Sequence, residues 1–306
     1  MALNQVAQFL LLLLLPLVLL GMPGLGKKMR WMALAFVPML VVLTLGVGSA
    51  GPRGEGWPWE QTLWRNPTEL NRNLTASVAL VWPAMIAVSR GRRLWVGLLL
   101  PLALVPPVLM GESQSAQFGL AIGLAVLLVT RLAPTLARCV VIVATVALFA
   151  GTIPLTLALP AISHGIEWLP FSARHRLDIW SFVAERIAER PVLGWGLEAS
   201  RHLGEGRVTQ ILDTETDMLP LHPHNAYLQV WLELGMIGAT LALAGCLLVV
   251  RAISHLDASI RPAALAAYAS TAAMAATSYG IWQSWWMATL MLTALLTAAA
   301  ASNRPA

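Results

Sequence analysis

The sequence predicts an all-α membrane protein, a polytopic bundle of about nine spans with one large loop that contains an amphipathic helix. Three observations predict this fold class. Of the 306 residues, 58% are hydrophobic and only 11% are charged, whereas soluble domains carry roughly 25% charged residues. The apolar residues form blocks of about 17–25, the length that crosses about 30 Å of hydrocarbon. The basic residues cluster in short connections between these blocks.

Nine apolar blocks define the predicted spans. The first is a leucine run, which we expect to be a retained span because basic residues follow it and none precedes it. The spans are predicted near residues 5–22, 31–49, 74–89, 94–110, 118–130, 139–160, 226–250, 263–279 and 285–302. This pattern divides the chain into an N-terminal membrane bundle over 1–160, a large loop over 161–225 and C-terminal membrane helices over 226–306.

The connections between the spans indicate which face is cytoplasmic. Counted through nine alternating spans, eleven of the 20 basic residues fall on one face, against a single acid there, Asp257. These basic residues are Lys27, Lys28, Arg30, Arg90, Arg92, Arg93, Arg131, Arg138, Arg251, Arg261 and Arg304. The positive-inside rule makes that face cytoplasmic and places the 161–225 loop outside. This placement also explains the net charge of +5, so no nucleic-acid partner is expected.

The 161–225 loop contains nine of the 15 acids and five of the six histidines, which favours a functional role for it. Residues 172–189 are predicted to form a helix because apolar side chains such as Leu177 and Val183 recur at i, i+3 and i+4, and Pro191 stops it. Such an amphipathic helix would lie in the membrane interface, beside lipid head groups. The glycines and proline of residues 191–196 favour a tight turn after it.

No metal or cofactor site is predicted. His222 and His224 are two residues apart, but Pro223 separates them and no third ligand follows nearby. A second candidate, the alternating acids at Asp213, Glu215 and Asp217, is interpreted as a solvated edge. Phosphate-loop, dinucleotide and His-Glu-x-x-His motifs are absent from the sequence. Both cysteines lie inside apolar blocks, so neither a disulfide nor a cysteine metal site is expected.

The strongest local pattern begins at His224, where His-Asn is followed by nine residues, Gly235, two residues and Gly238. On a helix that begins at Asn225, the two glycines would lie roughly 16–20 Å below the surface and allow a neighbouring helix to approach closely. Glu233 would be buried in the span and is expected to be paired or neutral. His224 would lie at the outer end, as a capping or interfacial residue or as a functional one.

This spacing resembles the motif of the O-antigen ligase and polymerase superfamily. Arg176 followed four residues later by Trp180, and the turn with Gly194 and Gly196, resemble that superfamily's large periplasmic loop. Residues 71–73, which include Arg72, resemble the Asn-rich opening of an earlier span. The resemblance covers about residues 70–250. It implies a bacterial inner-membrane enzyme whose active site faces the periplasm.

The implied reaction moves a glycan from a polyprenyl-diphosphate donor to an acceptor hydroxyl, by an inverting mechanism that needs no metal or other cofactor. The resemblance gives His224 the role of general base, with Asn225 positioning a hydroxyl or the ring. Planar, permanently charged guanidiniums suit the charge that grows on the diphosphate. Arg174 and Arg176 are the first candidates for this role, and Arg72 is a weaker one.

The expected activity is O-antigen ligation to lipid A-core. An O-antigen polymerase or a protein O-oligosaccharyltransferase would use the same donor with a different acceptor, and the sequence does not separate these alternatives. A polyprenyl-lipid transporter or flippase is the alternative from another class. Such proteins tend to show inverted repeats and charges at mid-membrane. In this sequence Glu233 is the only charged residue found at mid-membrane in the predicted spans, and no repeat is evident.

Overall fold

The computed structural model describes residues 67–89, 94–154, 156, 158, 171–211 and 214–302. The first two predicted spans, at 5–22 and 31–49, therefore lie outside the described residues. The described part of the chain is mostly helical, as the sequence predicts. Its helices are α1 (Pro67–Ser89), α2 (Leu94–Ala103), α3 (Val105–Met110), α4 (Gln114–Leu132), α5 (Pro134–Ala150), α6 (Phe171–Glu189), α7 (Ser200–Leu203), α8 (Ala226–Ser254), α9 (Arg261–Thr277) and α10 (Ser284–Ser302).

A short β-hairpin interrupts the helical pattern inside the 161–225 loop. Strands β1 (Val208–Ile211) and β2 (Thr214–Asp217) pair antiparallel, with Val208 opposite Asp217. The sequence analysis did not predict this hairpin. Its acids alternate along β2, and Glu215 and Asp217 are exposed. Asp213 lies outside the described residues.

Three of the described helices are long and apolar enough to cross a membrane, namely Gln114–Leu132, Ala226–Ser254 and Ser284–Ala301. Shorter apolar helices cover Val96–Met110 and Pro134–Ala150. The predicted span at 94–110 is divided into α2 and α3 by Leu104, because prolines at the start of α3 cannot continue the hydrogen-bond ladder of α2. The count of nine spans and the periplasmic position of the loop remain predictions.

The chain forms two compact units. The first unit contains Cys139–Arg251 and Ala275–Trp286, and the second contains the described residues up to Arg138 together with Ala252–Met274 and the chain from Met287 onward. In the second unit, Ser270 Oγ of α9 donates a hydrogen bond to the Gly119 carbonyl of α4 at 2.8 Å. Interhelical bonds of this kind stabilise helix contacts where apolar residues dominate.

The core of the first unit lies between α6 and the N-terminal part of α8. The apolar side of α6 is buried there, at the spacing that the sequence predicts for a helix over 172–189. This core contains Ile179, Phe182, Val183, Ile187, Leu219, Leu228 and Leu232. Burial of each such side chain contributes roughly 1.5–3 kcal/mol. The apolar face of α6 is therefore covered by protein. The sequence had predicted that this face would contact the membrane interface.

Candidate active site

Helix α8 is broken at Gly235. This residue has φ 61° and ψ −162°, a combination that is essentially restricted to glycine. The expectation of an unbroken helix through Gly235 and Gly238 is therefore wrong. The break leaves backbone N–H and C=O groups on either side without partners inside the helix, and in an apolar environment each unpaired group would cost several kcal/mol.

The turn at residues 191–196 provides the missing partners. Four backbone hydrogen bonds join the turn to the two sides of the break. Before the break, Trp195 N donates to Leu232 O (2.9 Å) and Gly196 N to Glu233 O (2.9 Å). After it, Met236 N donates to Pro191 O (2.8 Å) and Ile237 N to Val192 O (3.3 Å). The two motifs singled out in the sequence, about 40 residues apart, are thus one structural feature. We refer to it below as the turn–break junction.

Glycines make the turn–break junction possible. A Cβ atom on Gly235 would lie 2.6 Å from the backbone nitrogen of Gly194, and a Cβ atom on Gly194 would lie 2.7 Å from that of Gly235. Gly194 and Gly196 also have φ of 69° and 100°, which side-chain-bearing residues rarely adopt. Gly238 has a different role, since a Cβ atom there would collide with Leu234 of the same helix. The segment that approaches α8 at Gly235 is therefore the turn at 191–196. The sequence had predicted a neighbouring helix in this position.

Glu233 is fully buried beside the break and accepts four hydrogen bonds. Its Oε1 accepts from Ser200 Oγ at 2.6 Å and from Gln229 Nε2 at 3.0 Å. Its Oε2 accepts from the backbone N–H of Glu198 at 2.7 Å and from the indole N–H of Trp282 at 2.5 Å. Four donors fill the acceptor capacity of the carboxylate, and these hydrogen bonds offset the cost of its burial. Glu233 ties together the α7 region, α8 and the connection before α10.

His224 lies immediately before α8 in a left-handed backbone conformation, with φ 53°. Its Nδ1 is 2.9 Å from the carbonyl oxygen of Ser278. Because a carbonyl only accepts, Nδ1 carries the hydrogen, and Nε2 of the neutral ring is left with its lone pair. The backbone N–H of His224 donates to Nδ1 of His222 at 3.2 Å, and the two rings meet edge to face with centroids 4.4 Å apart.

Both histidines are neutral at physiological pH. Burial lowers the pKa of His224, and the nearby charges of Arg176 and His175 lower it further, although the bond to the Ser278 carbonyl acts in the opposite direction. Burial, together with His224 and Arg201, lowers the pKa of His222 to about 3. His224 therefore presents an unprotonated Nε2, as a general base requires.

Asn225 caps α8. Its side-chain oxygen Oδ1 accepts hydrogen bonds from the backbone N–H groups of Tyr227 at 3.0 Å and Leu228 at 3.1 Å, which is the usual arrangement at a helix N-terminus. The sequence interpretation gave Asn225 a direct contact with a hydroxyl or the histidine ring. In the structure its oxygen fixes where α8 begins and so places His224 at the start of the helix, while the contact with a hydroxyl or the ring stays a prediction.

Arg176 and Trp180 face the same side of α6, because residues four apart on a helix are neighbours. This position on one side accounts for their spacing in the sequence. The indole N–H of Trp180 donates to the carbonyl oxygen of Pro223 at 2.8 Å, between the two histidines. Arg176 is half-buried, and burial lowers its pKa while Tyr279 acts to raise it. A guanidinium stays charged in proteins, so Arg176 brings a fixed positive charge to His224.

The other two candidate arginines are placed differently. Arg174 lies on α6, two residues before Arg176, and is half-buried. Arg72 lies on α1 in the second unit. The structure thus brings Arg176 together with His224, while the contributions of Arg174 and Arg72 remain proposals.

Sequence reasoning missed the connection at residues 278–283, between α9 and α10. Besides its contacts with His224 and Glu233, it bonds once to α8 and once to the segment before α8. The N–H of Ile281 donates to Gln229 Oε1 at 2.9 Å, and the Gln283 amide lies 3.1 Å from His222 Nε2. Its only signal in the sequence is a run of aromatic and polar residues between two predicted spans, which does not indicate what it contacts.

An open pocket of about 310 Å³ lies beside this connection. Arg201, His222, Gln229 and Trp282 are among the residues that line it. His222 therefore contributes both to the pocket and to the support of His224, although the sequence gave it no role.

Among the described residues, no three histidine, cysteine, aspartate or glutamate side chains are grouped so that they could hold a metal ion. The His222 and His224 pair is used in contacts within the protein: Nδ1 of His222 accepts from the backbone, and Nδ1 of His224 donates to Ser278. On the β-hairpin, the Asp217 carbonyl oxygen lies 2.8 Å from His175 Nε2.

Residues 102–243 match the family model described as O-antigen ligase. This part of the chain is similar to O-antigen ligases. The matched part contains α6, the 191–196 turn, His224 and the whole turn–break junction. The match and the apolar helices together indicate a multi-pass membrane protein.

Part of the chain is also similar to curated proteins named as polysaccharide ligases. A Rickettsia conorii protein with the provisional name polysaccharide ligase is 40% identical over 119 residues, which are 38% of this chain and 29% of the relative. A Rickettsia prowazekii protein of the same provisional name is 38% identical over 119 residues, with the same coverage. One from Rickettsia bellii is 36% identical over 134 residues, which are 41% of this chain and 31% of the relative. The alignments thus span less than a third of each relative. No solved structure matches the chain.

Proposed function

We propose that this protein is a membrane glycosyltransferase that moves a glycan from a polyprenyl-diphosphate donor to an acceptor hydroxyl, with lipid A-core as the acceptor in O-antigen ligation. The active site would face the periplasm of a bacterial inner membrane. One observation supports this proposal most: His224 presents an unprotonated Nε2 close to the fixed charge of Arg176. A base and a guanidinium are what the transfer of a sugar from a diphosphate needs.

The proposed reaction forms one bond and breaks one. The acceptor oxygen attacks the anomeric carbon on the face opposite the diphosphate, so the configuration inverts. The acceptor hydroxyl gives its proton to Nε2 of His224, and the bond between the anomeric carbon and the diphosphate oxygen breaks. The electron pair of that bond goes to the diphosphate, where Arg176 stabilises the growing charge. Arg174 and Arg72 are proposed to assist with the remaining phosphate charge.

The surrounding contacts support the base. Hydrogen bonds from His224 to Ser278 and His222 set its tautomer and backbone conformation. The Trp180 bond to the Pro223 carbonyl links the segment to the helix that carries Arg176. Rigid placement of this kind is what gives a positioned base its advantage over one in solution. We propose a metal-independent mechanism because guanidinium groups suffice for the phosphate charge.

A transfer assay with purified protein tests the proposal. The protein in detergent is mixed with a fluorescent polyprenyl-diphosphate glycan and with lipid A-core, with or without EDTA. We expect fluorescent glycan on lipid A-core in both cases. Parallel reactions offer a second donor-linked glycan, which detects a polymerase, or a protein acceptor, which detects an oligosaccharyltransferase. If no acceptor receives glycan, the transferase proposal fails, and loss of transfer in EDTA with rescue by a divalent ion would contradict the metal-independent mechanism.

The dependence of transfer on pH follows from the lowered pKa of His224. The base must be neutral, so transfer declines as the pH falls through the pKa of His224. Because burial and nearby charge hold that pKa below 6.5, the acid limb of the kcat/KM profile should lie below pH 6.5. We expect the value at pH 6.5 to exceed half of the value at pH 7.5.

His222 does not contribute to this limb, because its pKa of about 3 lies well below the assayed range. The measurement is a kcat/KM series from pH 5 to 8 at constant ionic strength. An acid limb centred above pH 6.5 would contradict the environment described for His224.

A further inference from the structure

The second unit contains an open pocket at the ends of three helices, with a volume of about 410 Å³ when its solvent-filled mouth is included. Its polar lining comes from Thr135 and Arg138 of α5, Ser254 at the end of α8, and Arg261 at the start of α9. None of the described residues that line it is acidic. The pocket therefore combines two positive charges with two hydroxyl groups. None of its residues belongs to the site around His224.

The two arginine side chains differ in how firmly the protein holds them. Arg261 is held in place because its Nε and Nη2 atoms donate to the Leu256 carbonyl at 3.2 and 2.8 Å. These bonds use two of its five N–H donors and leave three for a ligand. Arg138 is exposed and forms no ion pair with the described residues. One guanidinium is thus oriented in advance, while the other is free to close over a bound group.

The backbone adds to the positive potential. Helices α5 and α9, of 17 residues each, both begin at the pocket, at Pro134 and Arg261. The first turn of a helix carries a partial positive charge. The end of α8 contributes carbonyl groups of opposite polarity, and Arg261 covers the neighbouring Leu256 carbonyl. The net character of the pocket suits an anion with several acceptor oxygens, such as a phosphate group.

The surroundings indicate where such a phosphate would come from. Next to the pocket, Leu132 and Leu136 are 77% and 57% exposed, and they flank the junction of α4 and α5. Ile253 and Leu265 form its apolar lining. A polar pocket at the ends of apolar helices, beside exposed leucines, matches a lipid that has a charged head group and apolar chains.

The geometry points to a binding site for the phosphate group of an anionic phospholipid, with the acyl chains lying along the exposed leucines. None of its lining residues is among those proposed to carry out glycan transfer. Its ligand is recognised by phosphate chemistry, so inorganic phosphate is the competing source that a test must separate from lipid.

Thermal unfolding in detergent tests this site. The purified full chain is heated with dioctanoyl phosphatidylglycerol, with dioctanoyl phosphatidylcholine, or with inorganic phosphate, in equal amounts. At roughly tenfold above Kd, we expect phosphatidylglycerol to raise Tm by about 3 °C and phosphatidylcholine to raise it by less than about 1 °C. An equal shift with inorganic phosphate would retain the site but assign it to free phosphate in place of lipid.

Arg138→Gln is the test variant and Arg251→Gln is its matched control. Both residues are exposed, but Arg251 lies outside the pocket lining. Arg138→Gln should abolish the shift from phosphatidylglycerol, and Arg251→Gln should retain it. Equal losses in both variants would show diffuse surface attraction and overturn the proposal. The proposal would also be overturned if the two lipids raised Tm equally, or if none of the three additions raised the Tm of the unmodified protein.

Discussion

Replacement of His224 by alanine should lower glycan transfer by at least about a hundredfold while the protein still accumulates in the membrane. A positioned general base typically contributes about 10²–10⁴-fold, and Nε2 of His224 is the unprotonated nitrogen beside Arg176. Alanine also removes the Nδ1 bond to the Ser278 carbonyl, so Tm must be measured together with turnover. The measurement is transfer to lipid A-core at matched protein levels. Turnover within a few-fold of the unmodified protein would exclude His224 as the base.

Two substitutions at His222 provide the control. The structure gives this residue a supporting contact, since its Nδ1 accepts the backbone N–H of His224. His222→Asn retains an acceptor near that position and should keep turnover within several-fold. His222→Ala removes the acceptor and should lower turnover by about tenfold, through loss of a buried hydrogen bond that holds the base. If His222→Ala is more damaging than His224→Ala, the two roles are reversed.

Replacement of Gly235 by alanine should destabilise the protein by more than about 3 kcal/mol. The backbone conformation there is essentially glycine-only, at a cost of about 1–3 kcal/mol for another residue. The added Cβ atom would also lie 2.3 Å from the Val192 carbonyl oxygen, which puts the four hydrogen bonds of the turn–break junction at risk. We expect poor accumulation, or a fall in Tm in detergent of at least about 6 °C.

Gly245→Ala is the matched control, because Gly245 lies on the same helix and a Cβ atom there meets nothing within 4 Å. This change should leave Tm unchanged or raise it slightly, since alanine favours the helix by up to about 1 kcal/mol. Equal stability of the two variants would show that the junction does not hold α8 in its broken form.

Features that depend on local sequence were predicted well. Helix α6 appears where its apolar spacing and Pro191 place it, and its buried face includes the expected Val183. The turn at 191–196 follows from its glycines and proline. Both depend on interactions between residues near one another in the chain, and periodicity and backbone preference report on such interactions.

Features that depend on contacts between distant segments were missed. The break in α8 exists because residues 191–196 bond to both sides of Gly235, and a glycine in an apolar block is equally compatible with an unbroken helix. Partners of His224 and Glu233 at Ser278 and Trp282 lie about 50 residues away. The resemblance assigns His224 to a motif position, but no pattern in a single sequence indicates which carbonyl selects its tautomer.

The break at Gly235 also bears on where the membrane surface meets the protein. From Met236 to the end of α8 there are 19 residues, which rise about 28 Å and by themselves match the hydrocarbon thickness of about 30 Å. Side chains of this segment such as Met236, Ile237 and Leu241 are exposed, whereas those of Leu228 and Leu232 are buried by protein. We propose that the first nine residues of α8 lie above the bilayer, packed against protein. Glu233 would then lie near the membrane surface, and the sugar end of the proposed lipid-linked donor would reach His224 without leaving water.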